Sequence, residues 1–226
     1  MMEQNYLKFD QEDDLVSIVL PTLNSEAHIK KCLKSISKQS YKKIELIIVD
    51  GYSKDNTLSF INSYSKKINI KIIQANTNNL ACALNLGVTH SKGEYIARMD
   101  SDDIMTKNRI FNQVHYFNKY NFNGILGTQA YRFNKFLIKP FLLYANNNFL
   151  KLSLFFGSPF VHPSVMLSRK IFEKGNFYDE EYNECEDYEF WSRLSKGYSF
   201  KNLMTFGLFY RVHDNSASNL NSSKLE

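Results

Sequence analysis

Residues 44–50 read IELIIVD: five apolar residues, four of them β-branched, closed by an aspartate. A run this short and this continuously apolar predicts a strand buried on both faces, as in a parallel sheet covered by helices. Outward from it the pattern repeats. LVSIVL (15–20) predicts a first strand, and SEAHIKKCLKSISKQ (25–39) a helix with Ser25 at its N-cap and Ala27, Cys32, Leu33 and Ile36 near helical spacing. A helix is expected from about Lys54. IKIIQA (70–75) predicts a third strand with a helix through LACALNLGVTHS (80–91), and EYIARMD (94–100) a fourth with a helix at KNRIFNQVHYFNKY (107–120). Strands alternating with helices predict an α/β fold, with a Rossmann-like, mostly parallel central sheet and helices on both faces.

In such a sheet the ligand crevice lies at the carboxyl ends of the strands. The chain places PTLN (21–24), Asp50 and Asp100 there. Asp100 opens DSDD (100–103), three carboxylates within four positions. Like charges this close repel, and each resists burial. The cluster is either a solvated acidic turn before the helix at 107–120 or the seat of something positive.

After residue 123 the rhythm changes. GILGTQAYRF (124–133), FVHPSVMLS (160–168) and FGLFYRVH (206–213) predict strands with fewer helices between them, so this half is expected to be mixed. CEDYEFWSRLSKG (185–197) predicts one helix, with Phe190, Leu194 and Trp191 toward the core. No Pro/Gly/Ser-rich linker divides the chain. The expected organisation is an N-terminal extension (1–14), one domain (15–213, with halves 15–123 and 124–213) and a polar, flexible tail (214–226). The aromatic-rich FLLYANNNFLKLSLFFG (141–157) is readable as interface, membrane-touching patch or core.

With 226 residues, 43% hydrophobic, the chain can bury a substantial core. The net charge of +5 comes from scattered lysines rather than a basic stripe, which argues against a nucleic-acid partner. An anionic small ligand or a membrane headgroup layer suits it equally. No apolar run of about 18 residues predicts a membrane span. The polar start MMEQNYLKFDQEDD has no secretory-signal pattern. Cys32, Cys82 and Cys185 are odd in number and widely spaced, which fits reduced thiols in a cytoplasmic protein and no zinc site. Cys32 and Cys82 are expected in the core.

The stretches VSIVLPTLN, IELIIVDGYSKDNT, GEYIARMDSDD and EDYEFWSRL, in this order, resemble the family 2 inverting glycosyltransferases of the GT-A fold, of the bacterial surface-glycan type, over about residues 15–213. The resemblance implies a metal-dependent transfer of one sugar from a nucleotide diphosphate sugar, with UDP-sugar as the expected donor. The expected acceptor is a hydroxyl of a glycan or lipid-linked oligosaccharide, and the implied class is hexosyl- or N-acetylhexosaminyltransferase. Charge that builds on the leaving phosphate calls for a hard cation, Mn²⁺ or Mg²⁺, held by carboxylate oxygens. By the same resemblance Asp102 would hold the metal together with His213, Asp100 would face the ribose or donor sugar, and Asp103 would orient the following turn. Pro21 and Leu23 would wrap the base with backbone, beside Asn24, and Asp50 would take part in recognising it. Arg211 would meet the diphosphate or the acidic cluster. Asp187 would act as the base that deprotonates the acceptor, oriented by Glu186.

Two positions depart from the family's pattern. Gly51 stands where relatives commonly carry a second aspartate, and Leu84 precedes Asn85 where many carry an arginine, so Asn85 is read as a support residue. Neither a QxxRW sequence nor a membrane span is visible, which implies single addition rather than processive synthesis. The expected location is cytoplasmic, with peripheral attachment at the inner membrane face left open. A sugar nucleotidyltransferase would need a glycine-rich loop after strand one, and PTLNSEAHIK has no glycine. A non-catalytic nucleotide-sugar-binding partner stays as the alternative, separable by a turnover assay.

Overall fold

The computed structural model describes residues 12–182 and 184–212. Four neighbouring strands of the first half run parallel: β1 (Glu12–Thr22), β2 (Ile44–Asp50), β3 (Asn69–Gln74) and β4 (Gly93–Arg98). The helices between and after them are α1 (Ile29–Ser37), α2 (Thr57–Asn62), α3 (Leu80–Thr89) and α4 (Arg109–Tyr120). The short β5 (Ile104–Met105) precedes α4. The second half supplies β6 (Gly124–Phe133), β7 (Ile138–Phe141), α5 (Asn147–Ser153), β8 (Met166–Ser168), α6 (Arg169–Glu173), α7 (Glu186–Leu194) and β9 (Ser199–Arg211). One sheet runs β3-β2-β1-β4-β8-β6-β9-β5, with β7 hydrogen-bonded to β6. β8 pairs antiparallel with both β4 and β6, so it is the seam joining the two halves.

Period-2 alternation assigns the strands to two cores. Ile18, Leu20, Leu46 and Ile48 face Cys32 and Leu33 of α1 and Ile110, Val114 and Phe117 of α4. Val19, on the opposite face, packs with Ala81, Leu84 and Val88 of α3 in the cluster that also holds Phe190, Trp191 and Leu194 of α7. Trp191 is fully buried, edge-on to Phe160 and His162, so its ring belongs to the core.

Several expectations are corrected. The first helix starts at Ile29, not at residue 25. The Ser25 carbonyl closes a turn by accepting from the His28 and Ile29 amides at 2.9 Å, and its own amide donates to Thr57 Oγ1 at 2.7 Å, so Ser25 is no N-cap. The second helix likewise starts only at Thr57, whose amide donates to Asp55 Oδ1. In FVHPSVMLS only Met166–Ser168 is strand, because His162–Ser164, with a proline that lacks an amide donor, forms a 3₁₀ turn. β9 begins earlier than expected, at Ser199. β1 begins at Glu12, inside the stretch read as an extension. Cys32 is buried as expected, whereas Cys82 is only half-buried and Cys185 exposed; all three are free thiols. Among the described residues no helix is long and apolar enough to cross a membrane.

Candidate active site

The carboxyl ends of β1, β2 and β4 open into a pocket. Its walls are Pro21, Thr22, Leu23, Ser25, Val49, Gly51, Ala75, the segment Thr77–Leu80, Ala83, Asp100 and Ser101. The loops after β1, β2, β3 and β4 form it, and those after β1, β2 and β4 are tied to one another. Asn24, at a left-handed φ of 47° that asparagine tolerates, donates its amide to Ser53 Oγ and accepts from the Lys54 amide. Ser25 Oγ and Ser101 Oγ lie 2.8 Å apart, which joins the loop after β1 to the acidic loop after β4. Gly51 matters sterically: a Cβ there would lie 3.2 Å from Leu23 Cδ1, so the bare backbone leaves room for Leu23 at the pocket wall.

Asp50 lies beneath this wall, fully buried. Its Oδ1 accepts from Ser53 Oγ at 2.6 Å and its Oδ2 from the Ser53 amide at 3.0 Å, so the carboxylate shapes the turn after β2. Asn85 is not among the residues that line the pocket. It accepts from the Tyr178 amide and donates to the Tyr178 carbonyl and Glu180 Oε1, which tethers the segment leading to α7. Asn79 caps α3 by accepting from the Cys82 amide, and donates to the Glu180 carbonyl from the same side.

Asp100, Asp102 and Asp103 each bring a carboxylate oxygen within 4.8 Å of the others. Burial, and then the charges of Asp100 and Asp102, push the Asp103 carboxyl well above its ordinary range. Asp100 is also raised, by burial first and by Asp102, against the pull of Arg98. Arg98, itself buried, reaches Asp100 Oδ2 at 2.5 Å. Beneath them Arg109 is buried and donates to the Arg98 carbonyl (2.9 Å), the Val165 carbonyl (3.2 Å) and Gln113 Oε1 (3.2 Å). Burial brings its pKa down to about 9. Arg211, from the end of β9, donates its amide to Asp103 Oδ1 (2.7 Å) and its Nε to the Asp102 carbonyl (2.9 Å), with its guanidinium over the Phe133 ring. Among the described residues, Asp103 Oδ2 and Arg211 Nη2 are buried without a hydrogen-bond partner.

The donor set fits a hard divalent cation. It offers only oxygen ligands, carries repulsion that a cation relieves, and keeps one carboxylate oxygen unsatisfied. The unpaired Arg211 Nη2 beside it suits an anion such as a diphosphate. His213 lies outside the described residues.

Glu186 and Asp187 open α7 and diverge. Glu186 turns inward, 5% exposed, with Oε1 3.5 Å from His162 Nδ1. Burial raises its carboxyl, but the hydrogen bond and charge of His162 outweigh this and hold it below the ordinary range. His162 Nε2 lies 3.0 Å from the Tyr178 hydroxyl, which burial keeps protonated. His162 thus links Glu186, through Nδ1, to Tyr178, through Nε2. Asp187 turns outward, accepting from Ser158 Oγ at 3.1 Å and from the Tyr188 amide. The field of Arg98 acts on Asp100 and Glu186 alike, and that of His162 on Asp100, so the two acidic sites share one electrostatic neighbourhood.

Sequence reasoning singled out neither Arg98, Arg109, Thr77 nor Tyr178. A buried arginine in the run EYIARMD was the one available signal, since an unpaired charge is not tolerated there.

Fold and site together define an α/β domain with a pocket and an acidic cluster at the same strand ends. Residues 17–175 match the family described as Glycosyl transferase family 2. The O-antigen biosynthesis glycosyltransferase WbnJ of Escherichia coli is 30% identical over 209 residues, covering 90% of this chain and 82% of WbnJ. Staphylococcus aureus TarS (1–349) in complex with UDP-GlcNAc superposes with a TM-score of 0.75 at 21% identity, over 90% of this chain and 60% of that one. The mannosyltransferase PcManGT of Pyrobaculum calidifontis, in complex with GDP-Man and Mn²⁺, gives 0.64 at 18%, again over 90% and 60%. The chain thus spans about three fifths of these two solved chains. It belongs to glycosyltransferase family 2 and has the GT-A-like fold.

Proposed function

We propose that this chain transfers one sugar from a UDP-sugar to a hydroxyl of a glycan or lipid-linked saccharide, with inversion at the anomeric carbon. The observation that carries the reading is that the pocket and the acidic cluster share Asp100. A base and ribose seated against Pro21, Leu23 and Gly51 would bring the diphosphate to Asp102, Asp100 and Arg211. The UDP-GlcNAc of TarS and the GDP-Man and Mn²⁺ of PcManGT support a donor and a cation of these classes. When bound, the cation neutralises charge on the leaving diphosphate. Arg211 Nη2, buried without a partner among the described residues, would add a hydrogen bond to the same group. Asp187, outward-facing and held by Ser158, takes the proton of the attacking hydroxyl, while Glu186 stays locked on His162 and fixes the start of α7.

The test is thermal melting with UDP, UDP-sugars and GDP, each with Mn²⁺ or with chelator, alongside sugar-transfer turnover. A uridine-nucleotide shift that needs metal is expected; Asp102→Ala abolishes it. Asp187→Asn keeps it and lowers turnover by about 10²–10⁴-fold. A full shift in Asp102→Ala, or undiminished turnover in Asp187→Asn, defeats the assignment.

A further inference from the structure

From Ile104 to Phe172 the chain carries nine Lys or Arg, of which Arg109 and Arg169 are buried, and no Asp or Glu. The same stretch holds most of the largest exposed apolar side chains of the described residues. Phe155 and Phe156 are 82% and 88% exposed, Phe149 and Leu152 each 53%, and Tyr144 62%. Phe149, Leu152 and Phe156 follow one another at helical spacing along α5 and its last turn, while Leu150 on the opposite side is fully buried and anchors the helix. The Tyr144 ring stacks on Phe149 with centroids 5.6 Å apart, which extends the apolar face onto the preceding loop. The turn between β6 and β7 repeats the composition, with Phe136 88% exposed between exposed Lys135 and Lys139.

Aromatic side chains presented to solvent among cations, with acids excluded for this length, complement an anionic lipid surface. Rings enter the acyl boundary and ammonium groups meet headgroup phosphates. A soluble polyanionic glycan would be met by the cations alone and gives no reason to expose phenylalanines. We propose that α5 with residues 154–157, aided by the β6–β7 turn, docks this chain on an anionic bilayer. The docking is independent of the transfer reading. What rests on that reading is its use: the Tyr188 hydroxyl donates to the Leu154 carbonyl at 2.6 Å and Ser158 Oγ to Asp187, so the docking face adjoins the proposed base and a lipid-held acceptor would arrive there.

The test is sedimentation with vesicles of phosphatidylcholine alone and with about 30% phosphatidylglycerol, without nucleotide or metal. Binding to the anionic vesicles is expected, weak or absent on phosphatidylcholine, and reduced as salt rises from about 0.1 to 0.5 M. Phe155→Ser with Phe156→Ser lowers the partition by about tenfold or more, at an unchanged melting point because both side chains are already exposed. Lys135→Glu with Lys139→Glu lowers it as well, and decides the matter should the first variant fold poorly. No binding to anionic vesicles, equal binding to both kinds, or binding untouched by the Phe pair overturns the proposal. So does a solution dimer that the Phe pair dissociates while the wild-type chain ignores vesicles. Loss of turnover with intact vesicle binding would strike the transfer reading and leave docking standing.

Discussion

Gly87 lies where α3 crosses β1, and replacing it with alanine tests how tightly the pocket's helix is seated. A Cβ on Gly87 would stand 2.4 Å from Val19 Cγ1 and 3.4 Å from Val19 Cγ2 and Val49 Cγ2. Reaching even a tight contact of 3.4 Å therefore requires a movement of about 1 Å. Val19 cannot supply it: it is a β-branched residue with little freedom at χ1, buried in the sheet, and its carbonyl accepts from the Met99 amide. The helix must move instead, and Leu84 and Val88 lose contact with the core. Overpacking of this kind costs about 1–3 kcal/mol, against a gain of about 1 kcal/mol from replacing glycine inside a helix. An approach of 2.4 Å belongs at the upper end of that cost, about 2–3 kcal/mol, so the net expectation is a loss of about 1–2 kcal/mol, or a melting point lower by about 2–8 °C for a domain of this size. Gly197 is the control, since nothing lies within 4 Å of a Cβ there and its backbone is outside the left-handed region. Gly197→Ala is expected to leave the melting point unchanged or slightly raised. Urea unfolding of both variants gives the measurement. A Gly87→Ala protein as stable as the wild type would refute the claim that close helix–sheet approach is what this glycine provides. Because Leu80 and Ala83 of the same helix line the pocket, the variant's nucleotide-induced stabilisation should shrink as well.

Other positions yield sharp expectations. Arg109→Leu strips the Arg98 and Val165 carbonyls of a shared donor and leaves the buried Asp103 without one of its nearby cations, for a loss of about 3–5 kcal/mol by chemical denaturation. An unchanged midpoint would sink that account. Asn202→Leu removes the Nδ2 hydrogen bonds to the Tyr144 and Pro159 carbonyls, at 3.0 and 3.1 Å, in a fully buried site, and should cost about 2–4 kcal/mol. Glu186 carries a carboxyl held below its ordinary 4.5, so its contribution to stability is present above that value and fades as pH falls through the lower folded value. The melting-point gap between wild type and Glu186→Gln is therefore expected to be wider near about pH 7 than near about pH 3.5, and a gap that widens on acidification would contradict the His162 contact as its cause.

The α/β architecture was legible because β2 and the apolar runs around it have a period that only a covered parallel sheet satisfies, and each run ended on the residue that marks the crevice. Asp100, Asp102 and Asp103 could be recognised as a group for the same reason: neighbours in sequence at a strand end are neighbours in space. The helices start later than the residues at Ser25 and Lys54 suggest because those segments are turns tied to each other across the two loops, the Ser25 amide to Thr57 Oγ1 and the Glu26 amide to Asp55 Oδ2. The mixed half was misread around His162, where a proline turn interrupts an apolar run that reads as strand.

The sequence by itself determined the strand–helix alternation, the acidic cluster and the pair of carboxylates at 186 and 187, since each is a local pattern of charge and hydrophobicity. Only the tertiary structure decided what each carboxylate faces. Asp50 turns under the pocket onto Ser53, Glu186 turns inward to His162, and Asp187 turns outward to Ser158. The partners of Glu186 and Asp187 lie up to 29 residues away in the chain, brought close by folding within the second half, and no local period encodes such a meeting.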